Sequence, residues 1–288
     1  MNSPSPSLVI ASGVQHLARR YPVWLCDIWG VLHNGLAAFA PAGDALTQFR
    51  AGGGRVVLLT NAPRPHGDVA RQIAQLGIGP AAYDAIITSG DVTRTLIAGY
   101  AGRGLVHIGP EKDRSLFAGL GAHLVPEREA EAAVCTGLVD DTHETPAAYA
   151  EQLARLKSRN LPMICANPDL VIMRGAEICY CAGAIGQAYE ALGGPVAYAG
   201  KPHPPIYAEA FSRAAEICGR TVSKRELLAI GDGMDTDILG AHRFGVDMLY
   251  VASGVHLGAG EGLTAAALEK LFAGRPERPV TAVAELAW

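Results

Sequence analysis

The chain has 288 residues, 49% of them hydrophobic, and a formal net charge of −4. That much apolar material excludes the disordered and fibrous classes and can build the core of one large or two modest domains. Lysines and arginines are scattered, with no basic run and no interleaved aromatics, which argues against nucleic acid as a partner; no apolar run approaches the roughly 20 residues of a membrane helix, which argues against a membrane.

The opening residues Met1-Asn2-Ser3-Pro4-Ser5-Pro6-Ser7 lack the basic start and long apolar centre of a secretory signal and read as a frayed tail. Six cysteines (Cys26, Cys135, Cys165, Cys179, Cys181 and Cys218) lie mostly in apolar segments, as small buried side chains in a reducing cytoplasm do. Cys179 and Cys181 make a C-x-C pair, but no second cluster at zinc-ligand spacing partners it.

Val23-Trp24-Leu25-Cys26 runs into Asp27, and Gly30 then lets the backbone turn away, so the first predicted strand carries a carboxylate at its end. A helix over 44–50 is stopped by Gly52-Gly53-Gly54, and the apolar run 55–59 ends at Thr60-Asn61. A helix over 66–76, a strand over 84–88 and a helix over 91–98 follow. In the middle of the chain, strands are expected over 105–108, 133–136 and 163–166, with helices over 113–120 and 146–158. From Val196 the first rhythm returns: the rigid loop Gly200-Lys201-Pro202-His203-Pro204-Pro205, a helix over 206–218, and the strand 227–230 running into Gly231-Asp232-Gly233-Met234-Asp235-Thr236-Asp237. A helix stopping at Gly245, a strand over 248–251 and a helix over 264–272 complete the chain. Short apolar runs alternating with helices of about ten residues predict parallel strands joined by right-handed crossovers. The expected fold is an α/β protein, a doubly wound parallel-sheet core from 1–90 and 195–288, with a smaller α/β domain inserted over 91–194.

Ligand crevices of open parallel sheets lie outside the carboxyl ends of the strands, whereas a lone acid there reads more readily as a turn cap. Here several strands end in polar residues: Asp27, Thr60-Asn61, and Asp232 with Asp237, while a loop offers Lys201. Chemically the set is coherent, with one carboxylate to attack, two more to hold a hard divalent cation, and a hydroxyl, an amide and an ammonium for phosphate oxygens. This reading requires that residues 27, 60, 201 and 232 meet.

In these residues the sequence resembles the haloacid dehalogenase superfamily, whose four motifs correspond to Asp27-Ile28-Trp29-Gly30-Val31-Leu32, Leu59-Thr60-Asn61, Gly200-Lys201-Pro202 and Gly231-Asp232-Gly233-Met234-Asp235-Thr236-Asp237. Ala166-Asn167-Pro168-Asp169 followed by Cys181-Ala182-Gly183-Ala184 resembles the inserted cap of the class IIA branch, which includes pyridoxal, nucleotide and sugar phosphatases. The resemblance implies a hydrolase acting on a small phosphorylated metabolite, with Asp27 as nucleophile forming an aspartyl-phosphate. It further implies Mg²⁺ held by Asp27, Asp232 and the Trp29 carbonyl, with Asp237 in its outer shell. Thr60, the Asn61 backbone and Lys201 would hold the transferring oxygens, Asn167 and Asp169 on the cap would face the substrate, and homodimerisation through the cap is common among such proteins.

One departure bears on activity. Phosphatases of the family carry a second aspartate two residues after the nucleophile, and here that place is Trp29. An indole N–H donates a hydrogen bond but does not exchange a proton near neutrality, and loss of a positioned general acid costs about 10² to 10⁴ in rate. Three explanations stand open: a good leaving group or a substitute such as His33, with His203 and His66 as weaker candidates; carbon–halogen or carbon–phosphorus cleavage; or a protein that keeps the site as a binding or regulatory module. His33 also reads as a loop histidine bonded to backbone. Asp140-Asp141-Thr142-His143-Glu144 reads as an acidic cap ahead of a helix, Arg64 as either a phosphate contact or a loop residue, and Gly258-Ala259-Gly260-Glu261-Gly262, with no preceding strand, as no dinucleotide site.

Overall fold

The computed structural model describes residues 8–174, 177–252 and 262–288. In chain order the elements are β1 (Val23–Asp27), α1 (Ala40–Ala51), β2 (Arg55–Thr60), α2 (His66–Gln75), β3 (Ala85–Thr88), α3 (Ser89–Ala98), β4 (Gly104–Ile108), β5 (His123–Leu124), β6 (Ala132–Cys135), α4 (Ala150–Ser158), β7 (Met163–Cys165), β8 (Val171–Arg174), β9 (Glu177–Tyr180), α5 (Ala182–Ala191), β10 (Val196–Tyr198), α6 (Pro204–Cys218), β11 (Leu227–Gly231), α7 (Leu239–Phe244), β12 (Asp247–Val251), α8 (Ala265–Leu271) and β13 (Thr281–Val283). The chain divides into two compact units, Met1–Leu59 with Ile73–Ile86 and Ala210–Trp288, and Thr60–Gln72 with Ile87–Glu209. The opening seven residues and Gly258 to Glu261 of the glycine run lie outside the described residues.

The first unit is built on a six-stranded sheet in the order β13-β12-β11-β1-β2-β3, whose last two strands run on into the second unit's residues. The pairings from β13 through β2 are all parallel. Strands β1 and β11 are buried along their whole length, as continuous apolar runs covered on both faces must be. Beneath them Trp24 stacks on Phe49 at 3.6 Å and 5° between rings. Register then positions the chemistry: Cys26 pairs with Ile230, so Asp27 and Gly231 end neighbouring strands together and Asp232 is the next residue out.

A five-stranded parallel sheet, β10-β7-β6-β4-β5, organises the second unit, with β8 and β9 as a separate antiparallel hairpin. Alternating side chains sort to its two faces. Leu105, Val134 and Ile164 pack with Ile97 of α3 and with Leu116 and Phe117; Val106, Cys135 and Met163 pack with Leu153 and Leu156 of α4 and Ile185 and Tyr189 of α5.

Two expected helices change character. The one placed over 113–120 is a run of 3₁₀ turns, Glu111–Phe117, and Gly119 at φ +75 takes the chain away in a conformation that β-carbons resist. The one placed over 146–158 starts as a 3₁₀ turn, Pro146–Tyr149, and becomes α-helical only at Ala150. The acidic segment stands ahead of that turn, as expected, and Thr145 at the N-cap makes no side-chain cap bond. Asp140 accepts the Thr142 and His143 N–H groups, Glu144 accepts the Tyr149 hydroxyl, and Asp141 takes a forked bond from Arg174. The hairpin β8–β9, helix α5 and strands β5, β10 and β13 have no counterpart in the sequence reading. Helix α5 contains two glycines, poor helix formers, and the fold explains both. A Cβ on Gly183 would lie 2.2 Å from the Pro168 carbonyl oxygen, and one on Gly186 would lie 3.2 Å from the Tyr198 ring. All six cysteines are free thiols, five of them buried, and burial raises the Cys165 and Cys181 thiols well above their usual range. No helix among the described residues is long and apolar enough to cross a membrane.

Candidate functional site

In the first unit, Asp27, Asp232 and Asp237 come together with one carboxylate oxygen from each lying within 4.8 Å of the others. All three side chains are buried, at 6%, 8% and 6% exposure. Asp27 is aimed by its own chain, since the Ile28 N–H donates to Oδ1 at 2.7 Å. Beyond β11, Met234–Ile238 winds as a single π turn, closed by the Ile238 N–H on the Gly233 carbonyl at 3.0 Å. Such turns pinch one extra residue into a helix and recur at functional sites. This one folds Asp237 back so that Oδ2 accepts the Gly233 N–H at 3.1 Å.

Three buried carboxylates at this spacing repel one another by about 3 kcal/mol per pair at an effective dielectric of about 20. A hard divalent cation bound through oxygen is the group that such a donor set fits. Glycines make the convergence possible. A Cβ on Gly30, which sits at φ +85, would meet Oδ2 of Asp232 at 2.3 Å, and one on Gly231 would meet Cγ of Asp237 at 2.2 Å.

Trp29 is half-buried, with its ring set edge-on to His33 at 5.0 Å and 76° and lying over Gly35. His33 is buried, and its Nδ1 accepts the Gly35 N–H at 2.9 Å. That bond makes Nδ1 the acceptor, so the neutral ring carries its proton on Nε2. The backbone partner anticipated for a loop histidine is therefore present.

In the second unit, the Asn61 carboxamide forms a two-way clasp with the backbone of Lys201, accepting its N–H at 2.7 Å and donating to its carbonyl at 3.0 Å. The same amide donates to Asp169 Oδ1 at 2.8 Å, and Asn167 Oδ1 accepts the Asp169 N–H at 3.0 Å. Residues 61, 167, 169 and 201 are thus one network, and Thr60, Asn61, Asn167 and Lys201 are all buried within it or beside it. Thr60 follows Leu59, the register partner of Asp27, and its Oγ1 accepts the Ala62 N–H. The weaker candidates are engaged otherwise: His203 stacks flat on Tyr198 at 4.6 Å, His66 pairs with Asp91 at the surface, and Arg64 donates to Gln72. Sequence reasoning missed Arg275, which pairs with Asp235 of the acidic motif from 40 residues away and carries no local signal.

The chain belongs to the haloacid dehalogenase-like hydrolase family. A family model of that description matches residues 24–123, and a second, described as HAD-hydrolase-like, matches residues 198–286. A solved structure of a haloacid dehalogenase-like hydrolase from Brucella suis 1330 is 45% identical, covers 96% of this chain and all of that one, and superimposes with a TM-score of 0.87. The chain is also similar to the D-glycerol 3-phosphate phosphatase of Mycobacterium tuberculosis, 27% identical over 247 residues; the match spans 84% of this chain and 66% of that relative, just under two thirds of its length. A solved glycerol phosphate phosphatase from M. tuberculosis in complex with calcium is 25% identical, with a TM-score of 0.70 over 92% of this chain and 74% of that one.

Proposed function

We propose that the chain is a Mg²⁺-dependent phosphatase of small phosphorylated metabolites, acting through an aspartyl-phosphate on Asp27. The observation that carries this reading is the convergence of Asp27, Asp232 and Asp237 within 4.8 Å at the ends of β1 and β11. It is supported by the relative that acts on D-glycerol 3-phosphate and by the related phosphatase that binds calcium, another hard divalent ion. Asp27, Asp232 and the Trp29 carbonyl would hold the metal, with Asp237 orienting its outer sphere. When bound, Mg²⁺ supplies positive charge against the phosphoryl oxygens.

The Ile28 N–H orients the Asp27 carboxylate, which attacks phosphorus. The P–O ester bond breaks, the alcohol leaves, and water then attacks the acyl phosphate to release inorganic phosphate and restore the carboxylate. Thr60, the Asn61 backbone and Lys201 hold phosphoryl oxygens in this proposal, on the strength of their motifs, and Asn167 and Asp169 select the substrate from an inserted cap over 91–194. With Trp29 in place of a carboxylic acid, the departing oxygen must stabilise its own charge or be protonated by His33 or by water. The enzyme is thereby biased towards acidic leaving groups.

Turnover of 4-nitrophenyl phosphate with Mg²⁺ tests the reading in wild type and Asp27→Asn. Activity in the former and its loss in the latter is expected; equal turnover in both overturns the nucleophile. Alkyl phosphates should be hydrolysed about 10² to 10⁴ times more slowly than the nitrophenyl ester. A His33→Ala variant with an unchanged rate removes that histidine from proton transfer. Trp29 also favours a second reading, a binding protein with reduced catalysis, whose signature is no turnover in either protein alongside Mg²⁺-dependent phosphate binding.

A further inference from the structure

We propose that Arg275 is a positioning residue for the acidic motif, drawing Asp235 outward so that the π turn presents Asp237 to the carboxylate cluster. The proposal rests on the cation-binding reading above and extends it to a residue outside the four motifs. Asp232, Asp235 and Asp237 lie within six residues of one another, and two of them are buried in the cluster while Asp235 is 79% exposed at its side chain. What separates Asp235 from the other two is Arg275, whose Nη1 and Nη2 both donate to Asp235 Oδ1.

Arg275 is itself rigidly held. Helix α8 ends at Phe272, which is fully buried and packs edge-on against Tyr250 of β12 at 5.7 Å. Gly274, at φ +74, reverses the chain. Nη1 of Arg278 then donates to the carbonyls of Phe272, Arg275 and Glu277, at 2.9, 2.6 and 2.9 Å. From the turn so fixed, Glu277 places a buried carboxylate 3.9 Å from Arg275 Nε. Among the described residues its Oε2 makes no hydrogen bond, so this contact is electrostatic and keeps the guanidinium, itself only 25% exposed, between two acids. The strand beside the turn, β12, pairs with β11, which delivers Asp232. One end of the π turn is therefore anchored through the sheet and its outer face through Arg275.

Long-range charge and positioning predict opposite results for Arg275→Ala. Removing a positive charge near a cation site tightens Mg²⁺ binding if charge alone matters. If Arg275 positions the turn, removal weakens binding, by about tenfold, the lower end of what outer-sphere partners of metal ligands contribute. The experiment is Mg²⁺ titration of the full chain by calorimetry, with melting temperature recorded without metal, for wild type, Arg275→Ala, Arg275→Lys, Asp235→Asn and Asp232→Asn. Expected are weakened binding in Arg275→Ala, partial recovery in Arg275→Lys, weakening in Asp235→Asn, and a double variant of Arg275→Ala with Asp235→Asn no worse than the poorer single one. The exposed Asp235 site keeps the test open should Arg275→Ala fold poorly. Unchanged or tighter binding in Arg275→Ala, or unchanged binding in Asp235→Asn, overturns the proposal while leaving the cation site standing. No binding in wild type, matching Asp232→Asn, overturns the site and this proposal with it.

Discussion

At Gly231 a Cβ would lie 2.2 Å from Cγ of Asp237, and at Gly30 it would lie 2.3 Å from Oδ2 of Asp232. Neither carboxylate is the loose end of a flexible chain, since Asp237 is tied by the Gly233 N–H and both are buried. Gly231→Ala should therefore displace Asp237 and weaken Mg²⁺ binding at least about tenfold, while costing the fold about 1–3 kcal/mol through local overpacking. Titration of the variant with Mg²⁺ alongside thermal unfolding checks this, and wild-type binding would show that the carboxylate can move aside without loss. At this scale the identities of Asp27, Asp232 and Asp237 could be read from their strand ends. The need for glycine at 231 could not, because it comes from a side chain six positions on that folds back over the backbone through a π turn.

Among the elements, α1 is tied to the approach of β3 by Arg50. Its guanidinium forks onto both oxygens of Asp84 at 2.9 and 2.8 Å and reaches the carbonyls of Pro80 and Ala81. Asp84 Oδ2 also accepts the N–H of Val56, a fully buried residue of β2, at 2.8 Å. Asp84→Ala would strip a buried N–H of its acceptor as well as breaking the ion pair, a loss of about 2–3 kcal/mol, or about 4–8 °C in melting temperature for a chain of this size. A shift under about 1 °C in a thermal melt would show the clasp to be replaceable by water. Periodicity found the strands and helices that alternate along 23–98 and 206–251, since each carries its own apolar stripe. It could not find α5, whose glycines are set by what packs against them, nor β8 and β9, where Val171, Ile178 and Tyr180 are exposed and no buried alternation exists.

At the scale of the molecule, the second unit carries a pH dependence in a chain of three buried or half-buried groups. His107 Nε2 and Thr136 Oγ1 are 2.9 Å apart, and Thr136 also bonds Asp113. Burial lowers the His107 pKa to about 4 from 6.5, so below pH 6.5 the unfolded chain takes up a proton that the folded chain refuses. Stability from His107 is thus full above pH 6.5 and lost as pH falls towards 4, up to about 3 kcal/mol. Asp113 acts in the opposite sense. Burial raises its pKa, so the folded chain holds the proton more tightly and stability is lost as pH rises from the ordinary carboxylate pKa through the raised one. His107→Gln should flatten the acid limb of a melting-temperature profile between pH 6.5 and 4, and Asp113→Asn should raise the melting temperature at pH 7. An acid limb unaltered in the first variant would place the acid sensitivity elsewhere.

By itself the sequence determined an α/β alternation, the polar residues closing its strands, and membership of the haloacid dehalogenase family, because apolar period, turn chemistry and contiguous motifs are all local properties. Tertiary structure alone decided that Asp27, Asp232 and Asp237 approach within 4.8 Å, that the Asn61 side chain clasps Lys201 and Asp169, and that Arg275 stands against Asp235. Asp232 and Asp237 are five positions apart, and every other contact in that set joins residues from 40 to about 210 positions apart. Strand register and crossover set them, and neither leaves a mark in any short window of the chain.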